Sequence, residues 1–402
     1  MNPVVLVSCD FVKTGGMDRA NYALASYLAR AGHEVHAVGH AIGEELAREP
    51  NVTFHRVRKP LGSYLLGERL LKKTGVKIAQ NLSPRGARVL VNGGNCPWGD
   101  INWVHYVHAA YTPSTATGLL RRFKQSVSHR SFLAGERKAI GRARLVIANS
   151  ERTKRHLIEN LGVAEDRIRV VYYGIDPDRF RPASDAERRD ARAALGWDDR
   201  PVLTFIGALG DRRKGFDTLL DAWKLRSADP SWDARLFVIG HGAELPLWKQ
   251  RVESLGLSRS IDFLGFRRDV PDLLRASDAM VHPARYEAYG LGVHEALCCG
   301  LPAIVSAGAG VAERYPAALS DLLLPHPENA AELAEKLSVW RAHHGRYRQA
   351  AIDLSLVLRA EDWDTMARRM ASMMMEGAPG TCAPQSTATS HRPTAIESET
   401  YA

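Results

Sequence analysis

The chain has 402 residues, of which 45% are hydrophobic and 25% charged. This composition is typical of a soluble globular protein, and the length predicts two domains of about 150–200 residues rather than one core. No apolar run reaches the roughly 18 residues of a membrane span, and the N-terminus lacks a signal-peptide pattern, so a cytoplasmic protein is predicted.

The cysteines and the charge distribution narrow the class of protein further. The five cysteines lack Cys-x-x-Cys spacing, so neither a disulfide framework nor a zinc site is indicated. Residues 1–182 carry 28 Lys and Arg against 15 Asp and Glu, whereas the remainder is slightly acidic. This basic half suits an acidic ligand or an anionic membrane surface, and a generally basic surface is an equal alternative. No nucleic-acid recognition motif accompanies it, so nucleic-acid binding is not expected.

Strand-like and helix-like segments alternate through the first half, which predicts a parallel sheet flanked by helices. The predicted strands are Val4–Cys9, Val35–Val38, Val52–Val57, Arg88–Val91, Ile101–Val107, Leu145–Ala148 and Ile168–Tyr172. The clearest helix candidates are Asp18–Ala31, Gly118–Ile140 and Glu151–Leu161. We therefore predict a Rossmann-like domain over residues 1–182.

Two features of this first half follow predicted strands. Gly15 and Gly16 lie at a strand-to-helix turn, without the Gly-x-Gly-x-x-Gly spacing of dinucleotide-binding proteins. His105 and His108 lie three positions apart in a strand-like segment, where such positions point to opposite faces, so only one should face a cleft. Further along, Ser150 is the predicted cap of the helix that begins at residue 151.

A second alternating region, predicted as a domain over residues 183–360, begins after a charged connecting segment. A strand from Pro201 leads into a loop with three adjacent cations and Gly215. The segment 361–376 is an amphipathic helix whose methionines should pack in a core. From residue 377 the composition turns to Pro, Ser and Thr, which predicts a disordered tail.

The most informative stretch runs from Asp278 to Ser306. It reads as a strand, a loop with Glu287, two glycines, and a helix with Glu295 about one turn inside. The first amides of that helix would be free to bind phosphate. A ligand with a central diphosphate and a hydroxyl-bearing ring on each side, such as a nucleotide sugar, fits this arrangement. Each feature alone is also explained by helix capping and turn formation.

The Glu287-x7-Glu295 spacing, with Lys214-Gly215, resembles the signature of glycosyltransferase family 4, which comprises retaining enzymes of GT-B fold. The resemblance implies an α/β fold of two Rossmann-like, doubly wound parallel-sheet domains that face each other across a cleft. The second domain would hold the donor nucleotide and the first would hold the acceptor. The helix at 361–376 would cross back onto the first domain.

The resemblance also implies roles for individual residues. Glu287 would bind the donor sugar, Lys214 its phosphates and Glu295 its ribose, while His108, with His105 in reserve, would meet a sugar hydroxyl. Because Ala208 stands where many relatives carry an arginine, Arg212 or Arg213 would have to replace that cation. The remaining assignments are Tyr289, Gly290, Leu291 and Gly292 for the diphosphate, Gly265, Phe266 and Arg267 for the base, and Gly15 and Gly16 for the diphosphate and acceptor. No metal or cofactor is expected.

The expected activity is transfer of a sugar from a nucleotide-diphosphate sugar to a glycan or lipid-linked acceptor, in cell-envelope polysaccharide or glycoconjugate synthesis. Peripheral association with the inner face of the plasma membrane would follow from the basic clusters Lys72-Lys73, Arg121-Arg122-Phe123-Lys124 and Arg137-Lys138. Two other classes remain open at this point: a nucleotide-sugar epimerase of the same fold, and a non-catalytic nucleotide-sugar-binding subunit.

Overall fold

The computed structural model describes residues 2–62, 64–112, 119–210 and 212–376. Within these residues the chain forms one parallel sheet of seven strands, a second of six, and a two-stranded pair. Helices alternate with the strands in both halves. This confirms the predicted fold class, an α/β protein with two doubly wound parallel sheets.

The first sheet lies within residues 4–170. The strands of this half are β1 Val4–Val7, β2 Asp10–Phe11, β3 Val35–Gly39, β4 Ala41–Ile42, β5 Val52–Arg56, β6 Arg88–Asn92, β7 Ile101–Val104, β8 Leu145–Ala148 and β9 Ile168–Val170. The helices are α1 Gly16–Arg30, α2 Glu44–Ala47, α3 Tyr64–Leu82, α4 Leu119–Arg142 and α5 Glu151–Leu161. The strand order is β5-β3-β1-β6-β7-β8-β9, and β2 pairs separately with β4.

The second sheet lies within residues 202–324. Its strands are β10 Val202–Ile206, β11 Arg235–Ile239, β12 Ile261–Gly265, β13 Ala279–His282, β14 Ala303–Ser306 and β15 Leu323–Leu324. The helices of this half are α6 Asp185–Leu195, α7 Phe216–Ser227, α8 Leu245–Ser254, α9 Val270–Ala276, α10 Leu291–Cys298, α11 Ala330–Ala342, α12 His344–Arg359 and α13 Trp363–Met375. The strand order is β12-β11-β10-β13-β14-β15.

The predicted strands of the first half all end within three residues of the observed ones. The largest difference is the strand expected over Ile101–Val107, which ends at Val104. Beyond it the chain turns, and a short 3-10 segment follows at His108–Ala110. The sequence alone could not show this ending, because Val107 beyond the strand is buried and continues the strand-like pattern.

Helix α13 returns to the first half of the molecule and packs against α1. Its methionines Met366, Met370 and Met374 are buried in the core around β1 and β3. The return is tight, because a Cβ atom at Gly174 would lie 2.4 Å from the carbonyl oxygen of Asp362. Two crossings of the chain, after β9 and before α13, therefore join the two halves.

None of the helices in the described ranges is both long and apolar enough to cross a membrane. The predicted tail, residues 377–402, lies outside the part of the chain that the structure describes. The same holds for the side chains of Arg121, Arg122 and Lys124.

Candidate active site

The predicted residues Gly15, Gly16, Lys214 and Glu287 follow strands at which the strand order of each sheet reverses. In the second sheet, consecutive strands run outward from β10 to β12, and the chain then returns to place β13 on the other side of β10. In the first sheet the same reversal separates β1 from β6. Ligands of open α/β sheets bind in the crevice that such a reversal leaves beyond the carboxyl ends of the strands. The loops after β1, β10 and β13 are therefore positioned for binding.

The loops after β10 and β13 meet through a charged cluster. The Nζ atom of Lys214 donates a hydrogen bond to Oε2 of Glu287. His282, the last residue of β13, places its Nε2 atom 3.0 Å from the same oxygen. The Lys214 and Glu287 side chains are 17% and 13% exposed, so the pair is largely screened from solvent.

The charge state of Glu287 follows from these neighbours. Burial alone would raise the pKa of the carboxyl, but Lys214, His282 and Arg213 outweigh it and hold that pKa well below its usual range. Burial lowers the pKa of His282. Glu287 is thus a carboxylate at neutral pH and can accept hydrogen bonds from sugar hydroxyls.

Arg213 and Arg212 point in different directions. The Nη1 atom of Arg213 donates to the carbonyl of Tyr286 at 3.0 Å and lies 3.9 Å from Glu287 Oε2. Arg212 is more exposed and lies 3.8 Å from Asp217, on the other side of the turn. Of the two arginines expected to replace the cation absent at Ala208, Arg213 is the one that lies beside Glu287.

Two glycines allow these loops to approach each other. Gly215 has φ +74°, and a Cβ atom there would lie 1.9 Å from the carbonyl oxygen of Pro283. Gly290 has φ +106° and would place a Cβ atom 3.0 Å from the Val311 side chain. Residues with a side chain rarely adopt these φ values, so glycine is required at both turns.

Helix α10 begins at Leu291, with Gly290 as its N-cap residue. Its first backbone hydrogen bond runs from His294 N–H to the Gly290 carbonyl, so the amides of residues 291–293 precede the helical ladder. Gly16 of the first domain lies nearby, since a Cβ atom on it would be 3.6 Å from Leu291. These amides and the Gly15-Gly16 turn therefore share one space.

The aromatic ring of Tyr289 lies away from that space. The side chain is 1% exposed, packs in the core of the first domain, and its hydroxyl lies 2.8 Å from Nδ1 of His294. Tyr289 precedes the helix, so the predicted row of amides begins two residues later than expected. Only the backbone of Tyr289 is near the crevice.

Glu295 is the fifth residue of α10, one turn inside the helix as predicted. Its side chain is 15% exposed, and Oε1 accepts a hydrogen bond from Nη1 of Arg19 at 3.2 Å. Burial raises the pKa of Glu295 to about 7, although Arg19 and Arg179 lower it. Arg19 lies on α1, and the sequence pattern gave no indication of this contact.

The turn after β12 contains the residues expected near a base. Gly265 has φ +69°, and its carbonyl accepts a hydrogen bond from the amide of Gly240, which ties this turn to the one after β11. Phe266 is 62% exposed and its ring lies 6.1 Å from that of His241. Arg267 is bound to Asp269 at 2.7 Å, so its side chain is directed along its own turn.

A cavity of about 340 Å³ lies beyond the carboxyl ends of the first sheet. Both His105 and His108 line it, which contradicts the prediction that residues three apart in a strand would point to opposite faces. The reason is that β7 ends at Val104, so the alternation of an extended strand no longer applies. Among the described residues His105 is hydrogen-bonded through both ring nitrogens, to Asn92 and to Tyr173.

His108 has a different environment. Its ring stacks on Phe132 at 5.1 Å, and burial lowers its pKa to about 4, so the ring is neutral. The main chain of this turn is held by Glu136, whose two carboxylate oxygens accept the amide hydrogens of His108 and Ala109. Asn92, Phe132 and Glu136 also line the cavity, and sequence reasoning missed all three because they carry no motif.

Several contacts hold the two domains together beside the site. Ser150 caps α5 as predicted, accepting a hydrogen bond from the amide of Thr153, and its own hydroxyl donates to the Ala288 carbonyl at 2.7 Å. The hydroxyl of Tyr286 accepts the Val107 amide at 3.1 Å. Glu313 accepts the first two amides of α5. The two domains are therefore in direct contact beside the crevice.

No group of three or more His, Cys, Asp or Glu side chains suited to a metal ion occurs in the described residues. Two Asp-x-Asp triplets occur in the chain, at Asp176–Asp178 and Asp362–Asp364. Asp362 caps α13, Asp364 pairs with Arg30, and Asp176 lies 3.8 Å from Arg19.

Comparison with known proteins agrees with this architecture. The structure superposes on that of WaaG, described as a glycosyltransferase involved in lipopolysaccharide biosynthesis, with a TM-score of 0.73, 21% identity, and coverage of 93% of this chain and all of the other. It also superposes on Anabaena HepE in complex with UDP-glucose, with a TM-score of 0.69, 20% identity, and coverage of 92% and 99%. The fold is GT-B.

Family models match both halves of the sequence. Residues 14–179 match the model described as Glycosyltransferase Family 4, and residues 187–351 match Glycosyl transferases group 1. The chain belongs to glycosyltransferase family 4. One relative, the mannosylfructose-phosphate synthase of Agrobacterium fabrum, is 34% identical over 42% of this chain and 38% of its own length. The matched region spans 38–49% of the length of the first three curated relatives.

Proposed function

We propose that this chain is a retaining glycosyltransferase that moves a sugar from a nucleotide-diphosphate sugar to a glycan or lipid-linked acceptor. The observation that supports it most strongly is the cluster of Lys214, Arg213 and Glu287 at the reversal of the second sheet. This cluster adjoins free amides of α10 and the glycine turn of the other domain. WaaG and HepE, described above as a glycosyltransferase and as a UDP-glucose complex, favour the same activity.

In this proposal the donor diphosphate lies between Lys214, Arg213 and the amides of residues 291–293. The sugar extends toward Glu287, the ribose toward Glu295, and the base toward the turn at Gly265–Arg267. During transfer the bond between the anomeric carbon and the diphosphate oxygen breaks, and its electron pair leaves with the nucleoside diphosphate. The acceptor hydroxyl forms the new bond and gives up its proton, with a leaving phosphate oxygen as the nearest base.

Charge develops on the leaving diphosphate, so donors placed at that point favour the transition state over the bound substrate. In this proposal protein groups stabilise the developing charge, and no metal ion or other cofactor is needed. Turnover in the presence of EDTA should therefore equal turnover in its absence. A loss of activity with EDTA that added Mg²⁺ or Mn²⁺ restores would contradict this part.

The acceptor would enter the cavity beside His105 and His108. Its volume of about 340 Å³ suits a small ligand or the terminal ring of a larger one. The neutral His108 ring, stacked on Phe132, can hydrogen-bond a hydroxyl through a ring nitrogen. Helix α4 borders this cavity, and α3 runs beside it through Glu68.

The test begins with the donor. A thermal-shift panel of UDP-, GDP- and ADP-sugars should find one that stabilises the protein, since a ligand at 100 times its Kd adds about 2.7 kcal/mol. With that donor, Glu287→Gln and Lys214→Ala should each lower turnover by about 10²- to 10³-fold, as when one transition-state donor is removed. Lys224→Ala, an exposed lysine on α7, is the matched control and should leave turnover unchanged. Turnover close to wild type in both site variants would refute the assignment.

Peripheral membrane association forms part of the proposal. Helix α3 exposes Leu66 and Leu70 beside the exposed cations Arg69, Lys73 and Lys77, which lie on neighbouring turns. Near an anionic bilayer each cation contributes about 1 kcal/mol. Co-sedimentation with phosphatidylglycerol vesicles should occur at low salt, weaken at moderate salt, and weaken in a Lys73→Glu, Lys77→Glu variant but not in Lys224→Glu. Absence of binding at low salt would end this part of the proposal.

A further inference from the structure

An arginine of the first domain contacts the second glutamate of the donor site. Arg19 is the fourth residue of α1, and its Nη1 atom lies 3.2 Å from Oε1 of Glu295. The two side chains are only 12% and 15% exposed. An ion pair that is this well shielded contributes more to orientation than a surface pair does, because water competes less for it.

The Arg19 guanidinium is held from several sides. It lies over the ring of Trp363 at 5.2 Å and over the ring of Phe180 at 5.7 Å. Its Nη2 atom lies 3.8 Å from Asp176. Trp363 belongs to α13, and Asp176 and Phe180 belong to the segment that connects the domains. Arg19 thus touches each of the two chain crossings as well as α10.

This contact leaves half of the Glu295 carboxylate available. Oε1 accepts the bond from Arg19, whereas Oε2 accepts none from a described residue. The ionised carboxyl is an acceptor only, on both oxygens, whereas a protonated one has an O–H that donates. Burial raises the pKa of Glu295 to about 7, and Arg19 and Arg179 oppose that rise. The neighbouring thiols Cys298 and Cys299 lie on the same helix and have raised pKa values themselves.

We propose that Arg19 is a positioning residue for the nucleotide: it orients the Glu295 carboxylate so that the free oxygen receives the ribose diol of the donor. Because Arg19 belongs to the first domain, this diol site is complete only when the domains are closed. Closure and ribose recognition are thereby coupled through one ion pair. The inference rests on the donor site proposed above.

The experiment compares ligands that differ only in the diol. The probes are UDP, GDP or ADP, whichever binds the wild-type protein, and the 2′,3′-dideoxy analogue of that nucleotide. Isothermal titration should show that the wild type prefers the diol form by at least tenfold. Arg19→Met should lose most of that preference while its Kd for the dideoxy form stays within twofold of wild type. Arg19→Lys should retain part of the preference for the diol form. Arg30→Met, on the same helix but in an exposed pair with Asp364, is the control and should match wild type.

A pH series supplies a readout that a purely structural role would not change. The wild-type preference for the diol should fall as pH drops through about 7, where Glu295 takes up a proton. In Arg19→Met this fall should move to higher pH, because one of the two cations that favour the carboxylate is gone. Equal weakening of both ligands in Arg19→Met, or no change in either, would overturn the proposal. If no nucleotide binds the wild type at all, the donor site itself is refuted, a result distinct from either of these.

Discussion

The pair Lys214–Glu287 can be tested without knowledge of the substrate, through the free energy of unfolding. Replacing Lys214 with methionine keeps the aliphatic chain and removes the charge, so the Glu287 carboxylate stays buried without its main partner. Replacing Glu287 with glutamine leaves the Lys214 ammonium buried without its charged partner. The double variant removes both charges and restores neutrality.

The expected loss of unfolding free energy follows from the burial of the two side chains. Breaking a fully buried ion pair by removing one partner costs about 3–5 kcal/mol, because a charge remains unpaired. Here the side chains are 17% and 13% exposed, and Arg213 and His282 still face Glu287. Lys214→Met should therefore lower the free energy of unfolding by about 2–3 kcal/mol, and the double variant should be less destabilised than the sum of the singles by at least about 1 kcal/mol.

Urea unfolding at pH 7 measures these values from the midpoint and the slope of each transition. The control is Arg200→Met, which breaks an exposed pair with Asp198 in the same domain and should cost less than about 1 kcal/mol. The pKa of Glu287 is depressed in the folded protein, so the coupling should be present in full at pH 5–8. It should begin to decline below about pH 4.3, where the unfolded carboxyl takes up a proton, and be lost only as pH falls through the lower pKa of the folded protein. Additive single variants at pH 7 would show that the two groups do not form a pair in solution.

Three further predictions follow from the geometry. Gly215→Ala should destabilise the protein by more than about 3 kcal/mol, since its Cβ would overlap the Pro283 carbonyl at φ +74°; Gly196→Ala, with φ +66° and open space, should cost only about 1 kcal/mol in the same urea assay. Ser150→Ala removes a helix cap and an interdomain hydrogen bond and should cost about 1–2 kcal/mol by thermal unfolding. Burial raises the pKa of Glu136 to about 7, so its ionisation opposes folding and stability should fall as pH rises from about 4.5 to 7. Glu136→Gln should remove that part of the fall, and an unchanged pH profile would contradict the assigned pKa.

The sequence determined most of the secondary-structure elements and most residues of the proposed donor site. Periodicity placed β8 and α5 at their observed bounds, because alternating and helical apolar patterns are local properties of the chain. The two glutamates, the cation loop and the glycines lie close together in sequence or next to strand ends. Their approach follows from the parallel sheet that the pattern predicts.

The tertiary structure decided which distant residues contact each other and where the side chains at turns point. Arg19 and Glu295 are 276 positions apart, and only the packing of α1 and α13 beside the connecting segment brings them together. Because β7 ends early, both histidines line one cavity. The turn at residues 212–214 directs Arg213 toward Glu287 and Arg212 toward Asp217. Side-chain direction at such turns is set by neighbours from distant segments, which is why local sequence patterns do not contain it.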